Sequence, residues 1–288
     1  IGGLSGDALT TGDNNVALGF NALSADTQGD RNIAIGTDAL SAQNFTTSTD
    51  SYNTAIGFQS GVSVTTGIKN TLIGGEAGDA LTDADHNVAI GYAALTSDTL
   101  GSRSVAVGQR ALVNQNFTTA TDSYNTAVGD NAGAAVTTAT NVTLIGGNAG
   151  AAITTGGRNT AVGAYALDTT TTGASNSAFG RSALTANTTG HSNAAFGADL
   201  PGVVAGASMN ANTTGYRNAA FGGSSLATNT EGYENTAMGA AALHLNTTGN
   251  NNTAVGYKAL YNNTTADNNV AVGQNALLTS TTATNNVA

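Results

Sequence analysis

The chain has few side chains that could form an active site or a metal site, and they are dispersed. Its three histidines lie far apart along the sequence: His86, His191 and His244. The densest group of acids is Asp79, Asp83 and Asp85, which fall in one predicted loop. Several carboxylate oxygens there could bind a Ca²⁺ ion, but the Gly-Gly-x-Gly-x-Asp repeat of calcium-binding β-rolls is missing from the sequence. The sequence therefore indicates no metal site.

Two glycine-rich segments, residues 74–78 and 146–150, have the composition of phosphate-binding loops but not their pattern. Both lack the Lys-Ser/Thr pair and the following helix that a phosphate loop needs, so they are interpreted as tight corners. Clustered Asp and Glu residues that could cleave a glycosidic bond are also missing from the sequence. We therefore expect no catalytic residues, no cofactor and no enzymatic activity.

The composition excludes several further classes of protein. With no cysteine, the chain cannot form disulfides or cysteine-ligated metal sites. Its 8 basic and 18 acidic residues leave a net charge of −10, which argues against binding nucleic acid through its phosphates. No apolar run is long enough to insert into a membrane. The unusual feature is the content of glycine, 38 of 288 residues.

A repeat explains the glycine content. Its motif is Asn-x-Ala-h-Gly, where h is a large apolar residue, and its closing glycines recur every 17 residues from Gly2 to Gly273. Three copies show the motif: Asn15, Ala17, Leu18 and Gly19; Asn32, Ala34, Ile35 and Gly36; Asn252, Ala254, Val255 and Gly256. Additions of four, four and eight residues fall near 41–53, 113–125 and 198–213. The sequence predicts one continuous domain of sixteen coils over residues 1–288, cut from a longer chain.

The length and composition of the unit predict an all-β fold. Seventeen residues are too few for a helical repeat or a propeller blade, and Gly, Asn and Thr all disfavour helix interiors. Each unit has two short apolar clusters, the x-Ala-h run and an Ala-Leu pair such as Ala22 and Leu23. Glycine and asparagine between the clusters permit sharp corners. We therefore predict a parallel β-solenoid with two short strands and two turns in each coil.

The predicted strand has apolar residues on both of its faces. Neighbouring residues of a strand point to opposite faces, yet both the Ala and the h positions of the motif are apolar. One face can fill the interior of the coil, but the other has no helix in the sequence to cover it. Burying apolar surface is worth about 25 cal/mol per Å². The sequence therefore predicts an obligate homo-oligomer.

The asparagine that opens each motif is interpreted as structural. In coils stacked in register, residues such as Asn15, Asn32 and Asn252 lie above one another. Their amides can then hydrogen bond between coils or cap the backbone of a turn. A binding role for these side chains is the alternative.

The motif resembles the head repeats of YadA-like trimeric autotransporter adhesins, most clearly at residues 32–36 and 87–91. Residues 252–265 are also similar to repeats of bacteriophage tail-fibre proteins. The resemblance implies a left-handed β-roll, a homotrimer of three side-by-side or intertwined chains, and an extracellular role in attachment, on a virion tail fibre or a bacterial cell surface. The 17-residue unit is longer than that of the adhesins, so neither their turn geometry nor collagen binding is carried over.

These observations favour a rigid fibre or adhesin segment whose partners are copies of itself and a glycan or other surface receptor. Four aromatic residues of the two longer coils are candidate surface contacts: Phe45, Tyr52, Phe117 and Tyr124. The alternative is that they pack onto neighbouring coils. The apolar segment 200–209 is expected to plug an interface.

Three other functions are considered. A passive filament or sheath component would have the same physical properties. An ice-binding solenoid would use threonine ladders, but the Thr-Thr pairs here place only one hydroxyl per coil on any face. A tailspike enzyme would need the acidic cluster that the sequence lacks.

Overall fold

The computed structural model describes residues 2–197 and 206–288 of the chain. The third addition, near 198–213, is therefore described only from residue 206, and the segment 200–209 lies mostly outside the described residues. The contacts group into two units, Ile1–Val142 and Thr143–Ala288. Each unit is a parallel β-solenoid, and the described residues form no helix. The all-β solenoid is confirmed, whereas a single continuous domain stays a prediction.

From residue 2 onward, the first unit contains seven three-residue strands and four two-residue strands. In chain order they are β1 (Val16–Leu18), β2 (Gly29–Asp30), β3 (Ile33–Ile35), β4 (Thr49–Asp50), β5 (Thr54–Ile56), β6 (Thr71–Ile73), β7 (Val88–Ile90), β8 (Gly101–Ser102), β9 (Val105–Val107), β10 (Thr121–Asp122) and β11 (Thr126–Val128). The longer strands lie side by side in the order β1-β3-β5-β6-β7-β9-β11. The short strands form two separate pairs, β2 with β4 and β8 with β10.

The described residues of the second unit form eight strands of three residues each. They are β12 (Thr143–Ile145), β13 (Thr160–Val162), β14 (Ser177–Phe179), β15 (Ala194–Phe196), β16 (Ala219–Phe221), β17 (Thr236–Met238), β18 (Thr253–Val255) and β19 (Val270–Val272). Each of these strands pairs in parallel with the next one in the chain.

The strand register confirms the 17-residue unit. Val16 pairs with Ile33, and the same register persists across the additions, since Ile33 pairs with Thr54 and Ala194 with Ala219. The additions are therefore accommodated outside the three-residue strands. One strand precedes each closing glycine from Gly19 to Gly273, fifteen in total. The sixteenth predicted coil closes at Gly2, next to residue 1, which is not described.

Two apolar positions fill the interior of most coils. The central strand residue points inward, as Ala34 and Ala254 do, and so does the leucine of the Ala-Leu pair, as in Leu40 and Leu260; all four are buried. The prediction of a second strand at this pair is wrong. Leu40 and Leu260 have φ angles of 49° and 50°, in the left-handed region. This corner directs the leucine inward, while its N–H still bonds to the next coil, as from Leu40 to the carbonyl of Ser60 at 3.1 Å.

Five coils have glycine instead of leucine at this left-handed corner: Gly6, Gly61, Gly78, Gly133 and Gly150. Each has an apolar residue three positions later: Leu9, Val64, Leu81, Val136 and Ile153. Coils with a corner leucine instead carry a polar residue there, such as Asp26 or Asn229. Two strand positions also change, from alanine to Leu72 and Leu144. The interior therefore keeps a nearly constant apolar volume, as close packing requires.

Candidate functional site

The motif asparagines are used in hydrogen bonds between coils. Asn15 donates from Nδ2 to the carbonyl of Gly29 at 2.7 Å, and its Oδ1 accepts the N–H of Asn32 at 2.8 Å. Asn252 likewise donates to a carbonyl of the next coil at 2.7 Å and accepts the N–H of Asn269 at 3.0 Å. Both ends of these amides are occupied inside the protein. This geometry supports a structural role for the motif asparagines.

A second asparagine ladder lies inside the second unit, three residues after the left-handed corner residue, which is Met209 before Asn212 and leucine before the other members. Its members are Asn187, Asn212, Asn229, Asn246 and Asn263, all buried. From Asn212 onward, each Nδ2 donates to the Oδ1 of the preceding member at 2.8–2.9 Å. The sequence analysis did not predict this ladder. One sequence signal could have revealed it: a corner leucine is followed three residues later by a polar residue, whereas a corner glycine is followed there by an apolar residue.

The outward strand residues form an apolar strip on each unit. They flank the buried central residue, and many are substantially exposed in the single chain: Leu18 is 46% exposed and Met238 47%. In the second unit, the outward rings of Phe179, Phe196 and Phe221 stack with centroids 4.6 and 4.8 Å apart. The h position of the motif, including Leu18, Ile35 and Val255, therefore lies on the face that the sequence predicted to need a cover.

Two of the four candidate contact residues are not on the accessible surface. Phe45 and Phe117 are only 7% and 6% exposed, so they are not available as surface anchors; this corrects their assignment. The reason is a buried carboxylate that fixes the backbone beside them. Asp26 accepts the N–H groups of Gly29 and Phe45 at 3.0 and 3.1 Å and the Gln43 side chain at 2.6 Å.

The same arrangement recurs 72 residues later. Asp98 accepts the N–H groups of Gly101 and Phe117 at 3.0 and 2.9 Å and the Gln115 side chain at 2.6 Å. Each longer coil is thus attached to the interior by one buried Asp-Gln pair. Residues 43–53 and 115–125 of the two longer coils differ at only one position, but this similarity does not reveal that a buried acid lies beneath each coil.

The other two candidates, Tyr52 and Tyr124, are exposed at 48% and 55%. The guanidinium carbon of Arg31 lies 5.5 Å from the ring centroid of Tyr52, and Arg31 also forms an ion pair with Asp50. These two tyrosines remain candidate contact residues, and each belongs to a charged surface cluster.

The structure does not bring the histidines together. His86 lies exposed at a corner, while His191 stacks on Tyr216 at 5.1 Å and His244 on Tyr261 at 4.9 Å. These contacts place the three rings in different coils.

The three aspartates of the predicted loop serve different neighbours. Asp79 accepts the hydroxyl of Thr96, Asp83 that of Thr66, and Asp85 the N–H of Ile68. Partial burial raises the pKa of Asp79, against the opposing effect of the Thr96 hydrogen bond. Within 2–197 and 206–288, no three His, Cys, Asp or Glu side chains are grouped so that they could hold a metal ion.

Comparison of the chain with protein-family models finds no matching family, and comparison with curated proteins finds no match. The resemblance to adhesin and tail-fibre repeats therefore rests on the motif itself. In the part of the chain that the structure describes, no helix is both long and apolar enough to cross a membrane.

Proposed function

We propose that this chain is a segment of a fibre or adhesin, a rigid homotrimeric β-solenoid that displays surface for attachment to a host cell or surface receptor. The observation that carries the proposal is the apolar strip on the outward strand faces, which the single chain leaves open. A left-handed coil, an extracellular location, and a place on a virion tail fibre or a bacterial cell surface are parts of the same proposal. They come from the resemblance of the motif.

The energetics favour self-association along the strip. Full burial of one large apolar side chain contributes about 1.5–3 kcal/mol, and the strip offers one or two such side chains in most coils. Association costs several kcal/mol in lost translational and rotational freedom. This cost arises once, whereas the gain from apolar burial recurs in most coils. A second and a third copy of the chain carry the same strip, so their apolar residues have the same spacing as those that they would cover.

The mass of the protein in solution tests the assembly. Light scattering after gel filtration should give three times the chain mass of 28.2 kDa. The outward triple variant Phe221→Lys, Met238→Lys and Val255→Lys should dissociate the trimer, because it places charges in the proposed interface. The matched control adds three lysines at exposed corners: Thr214→Lys, Thr248→Lys and Thr265→Lys. A monomeric wild-type protein would contradict the proposal.

Attachment distinguishes an adhesin from a passive filament or sheath component. A labelled trimer is applied to arrays of bacterial and animal surface glycans and to immobilised surface proteins. Retention by one class of these surfaces supports the adhesin, and a trimer that binds none of them supports the filament.

The threonine rows give no support to an ice-binding function. The hydroxyls of Thr154, Thr171 and Thr230 donate to carbonyls of the next coil at 3.2–3.3 Å. These hydroxyls therefore contribute to the scaffold. A thermal-hysteresis measurement, with no activity expected, tests this alternative.

A further inference from the structure

Two copies of one three-residue cluster lie on the surface of the first unit. One consists of Arg31, Asp50 and Tyr52, and the other of Arg103, Asp122 and Tyr124. We propose that each Arg-Asp-Tyr cluster is a subsite for a neutral, hydroxyl-rich polysaccharide chain. This inference rests on the attachment function proposed above and specifies its ligand class.

Both clusters contain an Arg-Asp ion pair and a guanidinium group beside the tyrosine ring. Arg103 Nε lies 2.9 Å from Asp122 Oδ1, and the guanidinium carbon lies 5.9 Å from the Tyr124 ring centroid. The Tyr124 hydroxyl donates to Asp122 Oδ2 at 3.3 Å. All three side chains are exposed. A hydrogen-bond donor, an acceptor and an aromatic ring are thus held close together at the surface.

The added residues of each longer coil bring the aspartate of each cluster into place. Asp50 belongs to β4, which pairs with β2, and Asp122 belongs to β10, which pairs with β8. Among the described residues, these two short strand pairs are found only where a coil has four extra residues. Below them, the buried Asp26 and Asp98 attach the coil to the interior. The result is a positioned loop, which costs little entropy to order when a ligand binds.

The four coils between Gly2 and Gly74 have the same lengths as the four coils between Gly74 and Gly146, so each residue of the first block has an equivalent 72 residues later. Differences between these two blocks distinguish the clusters from the rest of the surface. Exposed positions 58 and 69 are Phe and Lys in one block but Asp and Asn 72 residues later, and the half-buried Asp38 is replaced by an exposed arginine at position 110. Both neighbours of Arg31 also change, from Asp30 and Asn32 to serine at each position. The arginine itself, and the aspartate and tyrosine of the cluster, are the same in both blocks. A purely solvated arginine has no physical reason to persist where its neighbours do not.

The charge balance selects a neutral ligand. Each arginine is paired with an aspartate, so neither cluster has net positive charge, and Asp30 adds a negative charge beside the first. Two corner residues, Lys69 and His86, lie between the clusters. The exposed Lys69 has no ion-pair partner among the described residues, whereas His86 is next to Asp85 in the sequence. A single nucleic-acid strand carries a charge about every 3.4 Å, which one free lysine cannot match. Sugar hydroxyls, which both donate and accept, suit an Arg-Asp pair, and the ring offers an apolar contact to the sugar.

The two clusters are in line and four coils apart. The residues before the motif asparagine position, such as Lys69 and Arg103, occupy equivalent corners of successive coils. Each bonds from its N–H to the coil before it, as from Lys69 N to Ser51 O at 2.7 Å and from Arg103 N to Asp85 O at 3.0 Å. At about 4.8 Å per coil, equivalent atoms of the clusters are about 19 Å apart. One linear polysaccharide can therefore occupy both, so the second contact is intramolecular and raises the affinity.

The test measures binding of the intact protein to immobilised dextran, pullulan and galactomannan, with alginate, heparin and single-stranded DNA for comparison. We expect binding to at least one neutral polymer that changes little between about 50 and 200 mM salt. The variant with both Tyr52→Ala and Tyr124→Ala should lose about tenfold or more in affinity, and each single variant less. Replacement of both tyrosines by phenylalanine should retain most of the affinity. Tyr92→Ala, an exposed tyrosine of the same unit outside the clusters, is the control.

The inference is overturned if a folded wild-type protein binds none of the neutral polymers. It is also overturned if the double alanine variant binds as wild type, or if only alginate, heparin or DNA binds and salt abolishes that binding. The mass of every variant is measured in parallel. A trimer that attaches to cells or arrays through other surfaces leaves the proposed function intact while the polysaccharide subsites fail. A monomeric protein would contradict the proposed trimer, and polysaccharide binding by the clusters would then be measured with the monomer.

Discussion

The side chain of Leu72 occupies the space that a side chain at Gly78 would need. A Cβ added to Gly78 would lie 2.7 Å from Leu72 Cδ2 and 2.8 Å from Leu81 Cδ1. In most other coils, the strand position is alanine and the corner position is leucine. In this coil the strand residue, Leu72, fills the space that a corner leucine fills elsewhere. The leucine in the strand therefore explains the glycine at position 78.

This exchange predicts a coupled pair of substitutions. Leu72→Ala alone should destabilise the first unit by about 3 kcal/mol, because it leaves a cavity, and Gly78→Leu alone should destabilise it by overpacking. Together they should cost less than the sum of the two, because they approach the arrangement of the other coils. Chemical denaturation of the four proteins measures the coupling. Additive effects would show that the two positions do not share one space.

The buried asparagine ladder predicts a large effect from a small truncation. Asn229 donates to Asn212 at 2.8 Å and to the carbonyl of Gly232 at 2.9 Å, and it accepts from Asn246 at 2.8 Å. Asn229→Ala leaves buried partners unsatisfied and should cost about 2–3 kcal/mol. Thr248→Ala, at an exposed corner of the same unit, should change stability little. The comparison is made by thermal melting, and equal effects of the two substitutions would contradict the ladder's role.

The buried carboxylate beneath the first longer coil predicts local loosening. Asp26→Ala removes the acceptor of two N–H groups and of Gln43, which should cost about 3 kcal/mol. Hydrogen exchange should increase most over residues 41–53. Asp83→Ala removes an exposed carboxylate and serves as control. Unchanged exchange in the longer coil would mean that its conformation does not depend on the buried acid.

Asp30 and Asp79 predict opposite dependences on pH. Hydrogen bonds from the Asp13 N–H and the Ser48 hydroxyl hold the pKa of Asp30 below its usual value. Asp30 therefore stabilises the fold above the unfolded-state pKa of about 4, and this contribution is lost as pH falls through its lower folded-state value. Burial raises the pKa of Asp79, so its ionised form is a cost that is present at neutral pH and disappears in acid.

Thermal melting between about pH 3 and 7 tests this contrast. Asp30→Asn should lower the stability at neutral pH, where the ionised Asp30 contributes. The variant should therefore lose less stability than wild type when the pH falls. Asp79→Asn should reduce stability less at neutral pH than in acid. The same pH profile for both variants would rule out the assignment.

The fold could be predicted to a large extent from the repeat, and the candidate site only in part. The 17-residue spacing of Gly19, Gly36 and their successors predicted the parallel register, because each coil must place equivalent residues above one another. The aromatic residues of the longer coils were harder. Phe45 and Tyr52 come from the same loop and have similar apolar surface, yet one is buried and the other exposed. What separates them is the hydrogen bond from Phe45 N to Asp26, which lies 19 residues earlier.

Some features follow from the amino-acid order alone: the period, the inward alanine, the outward apolar residue and the excess of acid over base. They depend on local alternation and on repetition, which a single strand already contains. The tertiary structure alone decided that Leu40 enters the interior from a left-handed corner, that Asn229 and Asp26 are buried, and that Asp50 meets Arg31. Each of these depends on a partner in a neighbouring coil, because a polar or strained residue is tolerated inside a protein only when that partner satisfies or packs against it.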